Sequence, residues 1–183
     1  MRRTVHLLAA LTLLGGCAGE PTAPANIRAA AATTRASEAA ENKDIAALRA
    51  ATAPFHRIDV AKAAGYDTQF PAGCFASDEG AMGLHYLNGA KVGTLDVTEP
   101  QLLMYEPQKN GTLKLVGVEF ILPGVPTETP PVLFNRALEY NATFGVWALH
   151  VWAWDHNPRG MFYDWNPQVT CENAGAVSAV APD

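Results

Sequence analysis

Apolar and polar positions divide the chain into stretches of different character. Val5 to Leu14 is an apolar run broken only by His6 and Thr12, and residues 18–36 are rich in Ala, Thr and Pro with no hydrophobic period. From about Ser37 to Ala64, Ile45, Leu48, Phe55 and Ile58 recur at three- and seven-residue steps, which predicts helix. Ser37 is placed to cap it, Glu38 and Glu41 suit the first turns, and Pro54 must kink the run or begin a second helix because it lacks an amide donor. Gly65 supplies the stop.

After Gly65 the period shortens. Met82 to Leu87, Gln101 to Glu106 and Thr112 to Leu122 read as strands, and Asn110-Gly111 between the last two signals a hairpin. Residues 123–131 hold four prolines and must be loop. Leu133 to Tyr140 suits a short helix, and Phe144 to Trp154 is the most strand-like run of the chain. Turns follow at Asn157-Pro158 and Asn166-Pro167. The expected organisation is a single α+β domain over residues 37–173, an N-terminal helical layer packed on a mainly antiparallel β-sheet, with a disordered tail over 174–183.

The first residues bear on location. Arg2 and Arg3, a short apolar core and Leu14-Gly15-Gly16-Cys17 describe a secretory signal peptide over 1–16. The cysteine after the small pair resembles a bacterial lipobox, which implies acylation of Cys17 and cleavage before it. Residues 17–36 then form a lipid-anchored flexible tether. Ala18, in place of Asp, resembles the pattern sorted to the outer membrane, so the expected location is its inner leaflet or the cell surface. Without Arg2 and Arg3 the 13 basic residues fall to 11 against 18 acidic ones. Such a chain has no general attraction to nucleic acid or to anionic lipid, so the membrane is engaged through the lipid. Cys74 and Cys171 remain as an even pair in an oxidising setting, and a disulfide is favoured over a thiolate metal site or free thiols.

The mature chain has four histidines, His56, His85, His150 and His156. On a straight strand His150, Trp152, Trp154 and His156 share one face, with His150 and His156 ~20 Å apart unless the chain bends. Glu119 shares a face with Leu113, Leu115, Gly117 and Ile121, an apolar row on which a carboxylate is costly unless it is paired or binds a cation. If the strands of His85, Glu119 and His150 lie side by side, two imidazoles and a carboxylate converge. The set suits a divalent metal, zinc or iron, or copper if Met82, Met104 or Met161 joins it. His156 is a further candidate ligand, and His56, beside Arg57 and Asp59, joins only if its helix covers that face. The competing reading makes the histidines core residues and pairs Glu119 with Lys114 or Arg136.

Trp152 and Trp154 have two readings as well: sheet core, or an exposed row that stacks on a saccharide, another small ligand or a partner protein. A nucleophile elbow, a phosphate loop and a dinucleotide fingerprint are absent from the sequence. Glu106, Glu119 and Asp155 leave a paired-carboxylate glycosidase formally open.

Ala63-Ala64-Gly65-Tyr66, Met82-Gly83-Leu84-His85-Tyr86, Leu115 to Phe120, and the run from His150 through Trp152, Trp154, Asn157-Pro158 and Gly160-Met161-Phe162 together resemble a group of uncharacterised extracytoplasmic bacterial proteins. The resemblance covers about residues 45–171. It implies one exported domain and no particular reaction.

Overall fold

The computed structural model describes residues 24–175 and 178–180. The signal segment and Cys17 lie outside them. The chain falls into two compact units divided after Arg35. The first unit contributes the start of helix α1, Ala25–Thr52, where the Thr33 and Thr34 hydroxyls donate to carbonyls one turn back. Helix therefore begins well before Ser37, within the stretch read as tether, because an alanine-rich sequence has the highest intrinsic helix propensity. The second unit runs from Ala36 onward.

In that unit α1 buries Ile45, Leu48 and Thr52, the face the period marked. A 3-10 turn, Ala53–His56, starts around Pro54, and α2, Ile58–Ala63, ends at Gly65 with φ of 95°. The strands are β1 (Thr68–Ser77), β2 (Gly80–Leu87), β3 (Leu102–Pro107), β4 (Leu113–Pro123), β5 (Val132–Leu133), β6 (Arg136–Ala137), β7 (Glu139–Asn141), β8 (Val146–Val151) and β9 (Ser178–Val180). Seven of them form a curled sheet in the order β7-β8-β4-β3-β2-β1-β9, antiparallel except for β1 against β9. The α+β architecture is as expected.

One sheet face carries Leu103, Tyr105, Leu115, Val118, Phe120, Leu149 and Val151 and packs against Ile45, Leu48, Ala61 and Tyr66. Polar ties fix the layers: the Tyr105 hydroxyl donates to the Phe55 carbonyl at 2.6 Å, and Arg49 Nε donates to the Ala153 carbonyl at 2.7 Å. Leu48 is fully buried, so its truncation to Ala costs about 2–5 kcal/mol. The opposite face carries the candidate chemistry.

Several expectations are corrected. Leu133 to Tyr140 is not a helix: Phe134 and Asn135 both have positive φ, the requirement of a tight two-residue hairpin, and they join β5 to β6. β1 went unread because Pro71 and Gly73 interrupt its alternation and its register with β2 breaks between Gln69 and Cys74. Residues 178–180 of the supposed disordered tail pair with β1. The pairing of Cys74 with Cys171, by contrast, is as expected, and it fastens β1 to the segment after Val169.

The strand faces also shift at two places. In β4 a bulge makes Met104 oppose Gly117 and Tyr105 oppose Leu115, leaving Val116 unpaired. Leu113 and Leu115 therefore turn to the helical side with Val118 and Phe120, and Glu119 keeps only Gly117 and Ile121 of its expected row. β8 ends at Val151, where the Ala153 amide bonds back to the Val151 carbonyl at 2.8 Å. That tight turn destroys the i, i+2 parity beyond it. Trp152 packs with Cys74, Met104 and Val116, whereas Trp154 packs with the helix-side core.

Candidate metal centre

Three side chains converge on the face away from the helices. Glu119 on β4 and His150 on β8 are directly opposed cross-strand partners. His85 on β2 is opposed to Met104, so β3 lies between it and β4. The sheet's curl and the bare Gly117 close this gap. A β-carbon at 117 would sit 2.7 Å from Met104 Cε and 2.7 Å from the Val151 carbonyl oxygen, so the close approach of β8 backbone and Met104 requires glycine there.

His85 Nε2 stands 3.6 Å from Glu119 Oε2, and His150 Nε2 stands 3.8 Å from Glu119 Oε1. One donor atom from each of the three lies within 4.8 Å of the others. These separations are too long for hydrogen bonds. They approach the edge of a coordination shell, since donors about 2.0–2.2 Å from a tetrahedral metal are roughly 3.3–3.6 Å apart. The residues form a buried group able to hold a metal ion.

Asp164 completes the arrangement. His150 Nδ1 bonds to Asp164 Oδ1 at 2.9 Å. A carboxylate only accepts, so the ring must donate from Nδ1, and in the neutral ring the Nε2 lone pair then faces Glu119. That Nε2 is buried and has no hydrogen-bond partner, and the same is true of His85 Nδ1. The orphaned His150 Nε2 faces Glu119, where it is costly for a core and normal for a ligand, whereas His85 meets Glu119 through Nε2 and not through its orphaned Nδ1.

The electrostatics agree. Burial drives the His85 ring to neutrality, with its pKa brought down to about 3, and His150 pushes the same way. Burial raises the Glu119 carboxyl above the usual range against the pull of His150. For His150, burial opposes the charge, but Glu119 and Asp164 outweigh it and hold the ring above its ordinary value. Burial would raise Asp164, and the His150 hydrogen bond brings it below the usual carboxylate value instead.

The group borders a cavity of about 340 Å³. Its walls come from opposite ends of the sheet, with Phe70 and Phe75 on β1 and Phe144 and Val146 at the β7–β8 end. The proposed cationic partners of Glu119 are engaged elsewhere: Lys114 with Asp155 at 2.6 Å and Arg136 with Glu41 at 3.4 Å. Glu106 accepts from Gln108 and from the Thr170 amide, so neither Glu106 nor Asp155 adds a carboxylate to this cavity.

The remaining candidates lie elsewhere. His156 is exposed and lines a separate cavity with Trp154 and Arg159, outside the ligand group, because the chain has already turned at Ala153. His56 is exposed and sets its ring edge-on to Trp154, with centroids 4.3 Å apart. Trp152 is 2 % exposed and donates Nε1 to the Tyr163 carbonyl, and Trp154 is half-buried and donates to the Thr52 hydroxyl. They do not form an exposed aromatic row. Met82 lines the metal-side cavity, whereas Met161 packs in the helix-side core.

Sequence reasoning missed Asp164 and Glu139. Asp164 follows His150 by fourteen residues with no ligand spacing to mark it. The available signal was chemical: a metal-binding imidazole usually donates its second nitrogen to a carboxylate. Gly160 to Asp164 returns along β8, held by the Trp152 amide on the Met161 carbonyl at 2.8 Å.

The chain matches no family model, no curated protein and no solved structure.

Proposed function

We propose that this chain binds one divalent metal ion through His85, Glu119 and His150, in a domain exported and held to a membrane by lipid on Cys17. The observation that carries the metal reading is His150, whose Nδ1 is committed to Asp164 while its buried Nε2 has no partner. Two imidazoles and a carboxylate suit zinc or ferrous iron ahead of copper, and three protein donors leave at least one position for water or a small ligand. A metal there would polarise what binds it, with Asp164 holding the His150 ring in place.

Elemental analysis of untagged protein tests this. Stoichiometric zinc or iron, lost in His150→Ala while the domain stays folded, is the expected result. Protein that neither carries nor takes up Zn²⁺ overturns it.

Support for the anchor comes from Arg2, Arg3, the apolar core and Cys17 after two glycines, and from a disulfide that belongs to oxidising compartments. Cys17→Ser should abolish partition into the detergent phase. Continued partition overturns the lipid reading.

A further inference from the structure

We propose that the cavity over the metal group receives an uncharged, largely apolar small molecule that offers one neutral nitrogen or oxygen donor to the metal. The inference rests on the metal reading above and adds the class of ligand.

Charge argues first. Among the described residues no lysine or arginine borders the cavity, whereas Glu119, Asp164 and Glu139 do. A divalent ion is balanced by the Glu119 and Asp164 carboxylates, so Glu139 leaves the surroundings negative. An anionic ligand would reach a metal whose charge those carboxylates already balance, with no cationic side chain to assist it and Glu139 beside it. Sites that select carboxylate or phosphate place arginine or lysine there.

The walls argue second. Phe75, Leu102, Ile121 and Val146 surround the group with apolar surface. At the mouth, Phe70 from β1 and Phe144 from the β7–β8 turn meet edge to face with centroids 5.8 Å apart, though the two segments lie near opposite ends of the sheet. Both rings remain partly in water, at 39 % and 36 % exposure. Leaving large rings wet is unfavourable, and an apolar body between or below them would remove that surface from water.

The turn that presents Phe144 is built. Asn141 Oδ1 accepts from the Thr143 amide at 3.0 Å and the Phe144 amide at 3.3 Å, and the Gly145 amide closes onto the Asn141 carbonyl at 2.9 Å. The ring is thus held by a local hydrogen-bonded turn. At about 340 Å³ the space is at the small end of ligand pockets, which run from roughly 300 to 1,000 Å³.

Full-length protein loaded with Co²⁺ tests this through the visible absorption of the bound ion. It is titrated above the imidazole pKa with imidazole, 4-phenylimidazole and azide. The expected result is at least tenfold tighter binding of 4-phenylimidazole than of imidazole, with azide weakest. Phe144→Ala should erase the phenyl advantage while cobalt stays bound. Equal affinity for the two imidazoles, or azide binding tightest, overturns the ligand class and leaves the metal reading standing. Failure to bind Co²⁺ overturns both.

Discussion

His150 directs its two ring nitrogens to different partners: Nδ1 meets Asp164 at 2.9 Å, and Nε2 faces Glu119 at 3.8 Å. Asp164 thereby selects the tautomer that can bind a metal. Asp164→Asn keeps the shape but removes the carboxylate's charge and its strong preference to accept. Metal affinity should fall about 10–100-fold with the fold intact. A chelator-competition titration measures this, and unchanged affinity would show that Asp164 does not orient the ring.

Glu119 makes the opposite prediction for stability. Its folded pKa lies above the unfolded value, so its ionisation costs stability once pH rises through the unfolded value. Near neutral pH, Glu119→Gln should therefore melt at the same temperature as the metal-free parent or higher, by about 2–4 °C per kcal/mol recovered. Added Zn²⁺ should raise the melting temperature of the parent and not of the variant. A marked drop in the metal-free variant would mark Glu119 as an ordinary structural residue.

Metal binding should also count protons. His85 stays neutral down to about 3, so it has no proton for a metal to displace. Glu119 and His150 face each other with both pKa values raised, so protons on this pair compete with a metal. Losing those protons favours metal, so affinity should rise with pH until the pair has titrated, then level off. Because Glu119 and Asp164 hold His150 above its ordinary value, that rise should extend to higher pH than a free imidazole would allow. Calorimetry in buffers of different ionisation enthalpy should show proton release on Zn²⁺ binding that fades as pH rises, and a pH-independent affinity with no proton release would contradict the coupling.

The Cys74–Cys171 bond spans 97 residues. Closing a loop of that length restricts the unfolded chain by up to ~4.7 kcal/mol on the entropy model. Reduction and alkylation should lower the melting temperature by roughly 10 °C. Free thiols in native, unreduced protein, detected by mass spectrometry after alkylation, would contradict the pairing.

Legibility of this chain followed the range of the forces involved. Helix α1 showed in its period at Ile45 and Leu48, and the β3–β4 hairpin in Asn110-Gly111, because both are local. Glu119 stood out because a carboxylate in an apolar run is anomalous whichever face it takes. That face was misread because one unpaired residue at Val116 reverses alternation without leaving a mark in the sequence. Trp154 and His156 were misplaced for the same reason at the Val151–Ala153 turn. Asp164 and the meeting of Phe70 with Phe144 depend on sheet curl and loop return, which no window of sequence contains.

The ligands come from β2, β4 and β8, and the sheet order threads β3 between the first two. Among the described residues no tight hairpin holds two of the three donors: Glu119 and His150 meet only when β8 pairs with β4, and His85 joins them only across β3. On the proposed metal reading the full donor set exists only in the finished sheet, so an ion held there would come from the compartment the chain occupies once β8 has paired with β4. Metal content would then record where the protein completed its fold.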